Sequence, residues 1–182
     1  MTEHDVRKRR IPAITITQPW ASLIAAGVKR IETRSWSTGY EGPLAIHAGM
    51  GLDPAGGVDG FNQICRQDPI YSLLLKHADT IGLRHAAVDA GAWQFALPRG
   101  AIIAIAHLSR CSVMTPEGIA ELEHAHPVER QLGNYQPGRV AWVLRAARPI
   151  TPIEMPGRQG IWIPHADTQE QLRSYLPQPI TR

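Results

Sequence analysis

A run of charged residues from Lys29 to Trp36 carries the strongest chemical signal in this sequence. It reads Lys-Arg-Ile-Glu-Thr-Arg-Ser-Trp. Because side chains alternate across a strand, Arg30, Glu32, Arg34 and Trp36 should share one face, with Lys29 at its entry. Guanidinium groups and an indole on one face can hold a phosphate and stack a base. The run therefore predicts either a binding site or an exposed strand whose ion pairs contribute only about 0–1 kcal/mol each.

The residues before this run predict a strand and a short helix, which would position it. Residues 13–17 are a β-branched stretch typical of a strand. Pro19 suits the first turn of a helix and Gly27 suits its end. Trp20 and Leu23 repeat at helical spacing between them, which predicts that this face of the helix, Trp20 included, lies in the core.

The remaining pattern predicts an α+β fold, a small mixed β-barrel with flanking helices. Further strands are expected at 44–48, 101–111, 140–146, 150–154 and 160–163. Helices are expected at 61–66, 70–77, 84–91, 115–125 and 168–176. Thr115 is expected to cap the fourth of these, and Asp167 or Thr168 the last. A doubly wound sheet is excluded because strands and helices do not alternate regularly. No glycine-rich loop has the residues of a phosphate-binding fingerprint.

Composition indicates one globular domain with a moderate preference for anionic partners. The chain has 182 residues, 43% hydrophobic and 19% charged, and a formal net charge of +3. Arginine far outnumbers lysine, and arginine pairs with phosphate through two hydrogen bonds. Residues 1–11 form a basic tail whose Arg7 to Arg10 are either solvated or phosphate-touching. Residues 12–182 are expected to form a single domain, with a helical insertion at about 49–98.

Six blocks of sequence, in order along the chain, resemble the ASCH family. The blocks cover residues 18–21, 27–36, 42–48, 97–103, 138–144 and 157–162. The resemblance spans about residues 13–164 and implies a PUA-like β-barrel. It also implies RNA or DNA binding in a basic cleft lined by the Gly-x-Lys-x-x-Glu-x-Arg motif. In that cleft Lys29 and Arg34 would meet phosphate, and Glu32 would orient Arg34 or accept a hydrogen bond from a base amino group.

The last block adds a second wall to the predicted cleft. It contains Gly157-Arg158-Gln159-Gly160, in which two glycines allow close backbone approach to a ligand. The alternative is a tight hairpin with solvated side chains. The predicted nucleic-acid-binding residues are therefore Lys29, Arg30, Glu32, Arg34, Trp36, Arg158 and Gln159.

The resemblance leaves an enzymatic alternative open. Some relatives are amidohydrolases of N4-acetylcytidine, in which a threonine three residues after the lysine is proposed as the nucleophile. Here Glu32 holds that position, and Thr33 points to the opposite face of the strand, so the match fails where a nucleophile is needed. Another relative is described as a ribonuclease, for which Lys29, Glu32, Arg34 and His47 offer a cation, a base and an acid. His47 lies in an apolar strand and is expected to be a core residue with its hydrogen bonds satisfied.

Other classes of protein are less favoured. No histidine or cysteine cluster has metal-ligand spacing, so we expect no metal site and no cofactor. Cys65 and Cys111 are expected to be free thiols in a reducing, cytoplasmic setting, unless the fold pairs them. No apolar run is long enough to span a membrane. A protein-recruiting adaptor is a third alternative, for which Trp93 and Phe95 are the visible candidates for an exposed apolar patch.

Overall fold

The computed structural model describes residues 10–51, 57–88 and 92–176. Within them the strands are β1 Ala13–Ile16, β2 Ile31–Arg34, β3 Gly42–Ala48, β4 Arg84–Val88, β5 Ala92–Ala96, β6 Ala101–Val113, β7 Val140–Glu154 and β8 Ile161–Trp162. The helices are α1 Trp20–Ala25, α2 Gly57–Cys65, α3 Ile70–Lys76, α4 Ala78–Ile81, α5 Pro116–Ala125, α6 Pro127–Gln131 and α7 Ala166–Ser174. The α+β class predicted from sequence is confirmed.

Six of these strands form one curled, mixed sheet in the order β2-β7-β6-β3-β1-β8. β1 runs parallel to β3, and the other neighbouring pairs are antiparallel. The curl brings the edge strand β2 close to β1. Arg34 Nη2 on β2 donates a 2.7 Å hydrogen bond to the carbonyl of Thr15 on β1. The predicted mixed barrel is therefore a half-barrel, with a side chain bridging its open seam.

Helix α1 lies between the sheet and the helices that follow β3. Ala21 and Ile24 pack into the core cluster of the sheet. Leu23, on another side of α1, packs with Phe61 and Leu74 in a second cluster. The helices α2 to α4 therefore bury the side of α1 that the sheet leaves uncovered, and α1 is held on two sides.

Several predicted elements differ from those observed. Residues 84–91 were expected to be helical, but β4 pairs with β5 as an antiparallel hairpin. Strand formation depends on a partner, which the alanine-rich sequence of β4 does not reveal. The two strands predicted at 140–146 and 150–154 are one long strand, β7, in which Ala146 adopts a φ of 48°. Helix α7 has no side-chain cap, contrary to the predicted cap at Asp167 or Thr168.

Some predictions concern parts of the chain that are not described. Residues 1–9 of the basic tail lie outside the described residues, as do the side chains of Trp93 and Phe95. Cys65 and Cys111 are both free, as expected, and burial raises the pKa of Cys65 to about 12. Among the helices described, none combines the length and apolarity needed to cross a bilayer.

Candidate nucleic-acid interface

The start of α1 is held by a side chain from outside the helix. Gln18 is fully buried, and its Oε1 accepts a 3.0 Å hydrogen bond from the backbone N–H of Ser22. Its Nε2 donates to Ser22 Oγ at 2.8 Å and to the Pro98 carbonyl at 2.7 Å. The glutamine of the first sequence block therefore satisfies a free N–H of the first helical turn and ties α1 to the chain before β6.

The end of α1 directs the chain towards the charged run. Gly27 has a φ of 73°, which confirms it as the residue that ends the helix. Its N–H bonds the carbonyl of Ile24 at 2.8 Å, and the N–H of Val28 bonds that of Leu23 at 3.1 Å. This pair of bonds is a Schellman motif, which needs a left-handed residue at this position. The motif reverses the chain and points Lys29 inward.

Lys29 is buried, with a relative exposure of only 1%. Its Nζ donates to the Ile31 carbonyl and lies 3.3 Å from Tyr135 Oη and 3.9 Å from Glu32 Oε2. The Nζ also lies 5.8 Å from the ring centre of Trp20 and 5.4 Å from that of Tyr135. Burial lowers the pKa of Lys29, and the carboxylates of Glu32 and Glu129 oppose that shift. A cation here is stabilised by carboxylates and aromatic faces rather than by water.

Glu129, on α6, organises the backbone that follows Lys29. Its Oε2 accepts from the N–H of Arg30 at 2.8 Å, and its Oε1 accepts from the N–H of Ile31 at 3.0 Å. The hydroxyl of Tyr135 lies 2.7 Å from the same Oε1. Burial and Glu129 together raise the pKa of Tyr135, so its hydroxyl remains a neutral donor. The carboxylate therefore covers the free edge of β2 and connects it to the loop before β7.

Glu32 and Arg34 share a face of β2, as the alternation predicts. Arg34 Nε lies 3.3 Å from Glu32 Oε1, with 26% and 15% of the two side chains exposed. Since Glu32 also lies beside Lys29, one carboxylate separates two cations. The structure thus brings Lys29, Glu32 and Arg34 together.

A cavity of about 380 Å³ opens beside these residues, and we call it the Lys29 cavity. Its walls come from α1, β2 and the segment between α6 and β7. The lining residues are Trp20, Lys29, Glu32, Thr33, Gln131, Leu132, Gly133, Asn134 and Arg139. Trp20 is only half-buried, so it is a wall of the cavity as well as part of the core, which corrects the prediction of a core residue alone. The cavity combines an indole, two exposed amides and charges of both signs.

Two residues predicted for the same face lie elsewhere. Arg30 precedes β2, so the alternation of the strand does not extend to it, and its guanidinium lies 3.5 Å from His126 Nδ1, outside the lining of the Lys29 cavity. Trp36 follows β2, and its ring packs edge-on against Trp142 at 4.7 Å between ring centres. Its role in stacking a base stays a prediction.

The loop carrying Arg158 and Gln159 is exposed and attached to the seam of the sheet. Thr15 Oγ1 donates a 2.9 Å hydrogen bond to the Arg158 carbonyl, while the Thr15 carbonyl accepts from Arg34. His47 is fully buried beneath this loop, as predicted, and its Nε2 donates to the Met155 carbonyl at 2.9 Å. Its Nδ1 has no partner among the described residues, so the histidine is not fully satisfied.

Sequence reasoning missed the segment between α5 and β7, about a hundred residues after Lys29. Asn134 and Arg139 from this segment line the cavity, whereas Glu129 and Tyr135 bond to the residues from Lys29 to Ile31 behind it. Arg139 Nη2 bonds the Thr33 carbonyl at 2.7 Å. The Gly133-Asn134 pair is a turn signal, but no local pattern indicates that this turn faces Lys29.

The part of the chain that contains the candidate site is also the part that is similar to known proteins. Residues 14–154 match the model of the ASCH domain family. A stretch of 35 residues, 19% of this chain, is 51% identical to Activating signal cointegrator 1 of Homo sapiens and of Mus musculus, and it spans only 6% of those relatives. The crystal structure of ASCH from Zymomonas mobilis is 16% identical, with a TM-score of 0.49 over 94% of this chain and 99% of that one. A point mutant of that protein is 15% identical, with a TM-score of 0.49 over 92% and 99%.

The ASCH domain family is associated with RNA and nucleic-acid interaction. Because the family model spans most of the sequence, from β1 to the end of β7, this chain belongs to the ASCH domain family.

Proposed function

We propose that this chain binds RNA or DNA by taking one nucleotide into the Lys29 cavity. The observation that carries the proposal is the pair Lys29 and Glu32 at the wall of a cavity of about 380 Å³, beside the indole of Trp20. Arg34 does not line the cavity, but it forms an ion pair with Glu32. That volume lies within the range of pockets that hold small organic ligands. It suits a nucleobase better than an extended stretch of polymer.

Base recognition in this cavity would use an aromatic face and hydrogen-bonding groups. Stacking on Trp20 would contribute about 1–3 kcal/mol, as base–aromatic contacts do elsewhere. The Glu32 carboxylate can accept from an exocyclic amino group, and the amides of Gln131 and Asn134 can donate to and accept from a base edge.

Phosphate recognition would fall to the cations at the rim. Arg34 and Arg139 are partly exposed, whereas Lys29 is buried and already bonded to the Ile31 carbonyl. We therefore assign Lys29 to the electrostatic potential of the cavity floor and the arginines to direct phosphate contact. Arg158 and Gln159 lie on the loop attached to Thr15, whose carbonyl accepts from Arg34, and we assign them to further phosphate contacts.

The test compares binding of labelled single-stranded RNA, single-stranded DNA and duplex DNA to wild type and two variants. We expect Glu32→Gln and Asn134→Ala each to cost about 1–3 kcal/mol of binding free energy. Glu154→Gln is the matched control, since it removes an exposed carboxylate from the far end of β7. Affinity should also fall with salt, by roughly one log–log unit for each phosphate contacted. Equal affinity of wild type and both cavity variants would contradict the proposal.

An enzyme acting on RNA or on a modified nucleoside is the second candidate. It is favoured by one observation, a buried lysine of lowered pKa that lines the cavity next to a carboxylate. Such a lysine is a typical general base or nucleophile. Incubation of wild type with RNA and with N4-acetylcytidine tests this candidate. Product that disappears in both Lys29→Ala and Glu32→Gln would support it, and unchanged substrate after hours with wild type would exclude it.

A further inference from the structure

A second hollow, of about 460 Å³, lies on the outer face of the sheet and contains Arg30. We call it the α5 groove, because α5 forms one side of it and the strands β2, β6 and β7 form the other. The Lys29 cavity and the α5 groove are separated by the contact between α6 and β2, where Glu129 holds the backbone of Arg30 and Ile31.

The α5 groove has an excess of positive charge. Arg30, Arg110 and Arg145 all line it and are all exposed, and none of them forms an ion pair with a described carboxylate. His126 adds a further nitrogen close to Arg30. The lining has two carboxylates, of which Glu129 is already bonded to two backbone N–H groups, so Glu121 alone faces three guanidiniums.

The floor of the groove is apolar. It includes Val143 and the 63% exposed side chain of Val113, next to Leu122. Guanidinium groups around an apolar floor match a single nucleic-acid strand, whose phosphates need forked donors and whose bases have apolar faces.

We propose that the α5 groove binds the phosphates of a nucleic-acid strand that continues from the nucleotide held in the Lys29 cavity. This inference rests on the proposed function, because it extends the nucleic-acid contact from the Lys29 cavity to the α5 groove. The continuity comes from β2 and the turn before it, since Lys29 and Glu32 line the cavity while Arg30 and Ile31, between them, line the groove. A strand crossing this short segment contacts both hollows.

The experiment measures binding of two labelled oligouridylates, of about 4 and about 16 nucleotides, the range of site sizes for single-strand binders. The groove variants are Arg110→Ala and Arg145→Ala. The matched control is Arg148→Ala, because Arg148 is exposed on the same strand as Arg145 but does not line the groove. Arg145→Lys keeps the charge and should retain part of the affinity. Thermal melting verifies that each variant is folded.

We expect each groove variant to weaken binding of the long oligonucleotide several-fold and to reduce its salt slope by about 0.7. Binding of the short one should not change. If Arg148→Ala weakened binding of the long oligonucleotide equally, the inference would be overturned, because the total positive charge of the protein and not the groove would then be responsible. It is also overturned if the groove variants lose binding of polyglutamate but not of RNA, which would assign the groove to an acidic polypeptide.

The short oligonucleotide separates this inference from the proposed function. If Glu32→Gln leaves its binding unchanged, the Lys29 cavity is not the nucleotide site, whatever the groove variants do. If Glu32→Gln weakens it and the groove variants leave the long oligonucleotide unaffected, the cavity stands and the extended footprint is wrong.

Discussion

At the scale of single residues, burial decides what the charged groups of the motif can do. Lys29 is a charged residue in a charged run, which is typical of an exposed strand, yet its ammonium lies near two aromatic rings and beside Glu32. A buried ion that lost this partner would keep its desolvation cost without compensation. Glu32 therefore favours the charged form of Lys29, together with Glu129, in addition to any contact that it makes with a ligand.

The buried His47 makes the stability of the protein depend on pH. Burial holds the pKa of His47 below its ordinary value of 6.5, so the unfolded chain takes up a proton at a higher pH than the folded one. Stability is therefore present above pH 6.5 and is lost as the pH falls below it, by at most about 1.4 kcal/mol per pH unit. Urea unfolding between about pH 7 and pH 5 should show this slope in wild type and a smaller slope in His47→Gln. His124→Gln, which removes an exposed imidazole, should keep the slope of wild type; equal slopes in all three proteins would contradict the prediction.

At the scale of elements, sequence reasoning found the end of α1 and the cap of α5, but not the distant segments that pack against them. Gly27 ends α1, and Thr115 caps α5 by accepting from the Gly118 N–H at 3.1 Å, both as predicted. These signals are local, because a cap needs only its own turn. In contrast, α6 was not predicted, and its Glu129 reaches the backbone of Arg30 across 99 positions of sequence.

The loop after β7 depends on the absence of a side chain at Gly157. A Cβ there would lie 2.5 Å from His47 Cε1 and 2.8 Å from Thr15 Oγ1. His47 is buried, and Thr15 Oγ1 is held by its hydrogen bonds to the Arg158 carbonyl and to Trp162 Nε1. We expect Gly157→Ala to destabilise the protein by about 1–3 kcal/mol and to displace Arg158. Urea unfolding and RNA titration should therefore show lower stability, together with an affinity close to that of Arg158→Ala.

Gly39→Ala is the matched control for that substitution. A Cβ at Gly39 meets no atom within 4 Å, and the residue does not need a left-handed backbone. Stability close to wild type is expected. If Gly157→Ala behaved like Gly39→Ala, the loop would not depend on this contact.

At the scale of the whole molecule, the seam of the half-barrel brings the two predicted walls together. Thr15 accepts the Arg34 guanidinium at its carbonyl and supports the Arg158 backbone with its hydroxyl. The edge strand β2 is thus connected by side chains to β1, which lies next to the other edge of the sheet. Arg34, which we propose as a phosphate contact, therefore also helps to close the sheet.

Loss of Arg34 should therefore loosen the seam more than the centre of the sheet. We expect Arg34→Met to cost about 1–3 kcal/mol, the value of a hydrogen bond to a charged group together with its unpaired carbonyl. Amide hydrogen exchange should accelerate in β1 and β2 and change little in β6, which lies in the middle of the sheet between β7 and β3. Arg148→Met, exposed on β7, serves as the control and should alter neither region. Uniform acceleration through the sheet would mean that Arg34 stabilises the fold without closing the seam.

The sequence by itself determined the family, the ends of α1, and the grouping of Lys29, Glu32 and Arg34, because blocks in order, caps and strand alternation are local properties. Only the tertiary structure decided that Lys29 is buried, that Arg30 lines a different hollow, and that Glu129, Tyr135 and Asn134 lie beside the candidate site. Burial and contact depend on which distant segments the chain brings together. No local periodicity indicates which distant segments meet. Their contacts follow from the curl of the sheet and from the packing of α6 against the edge strand β2.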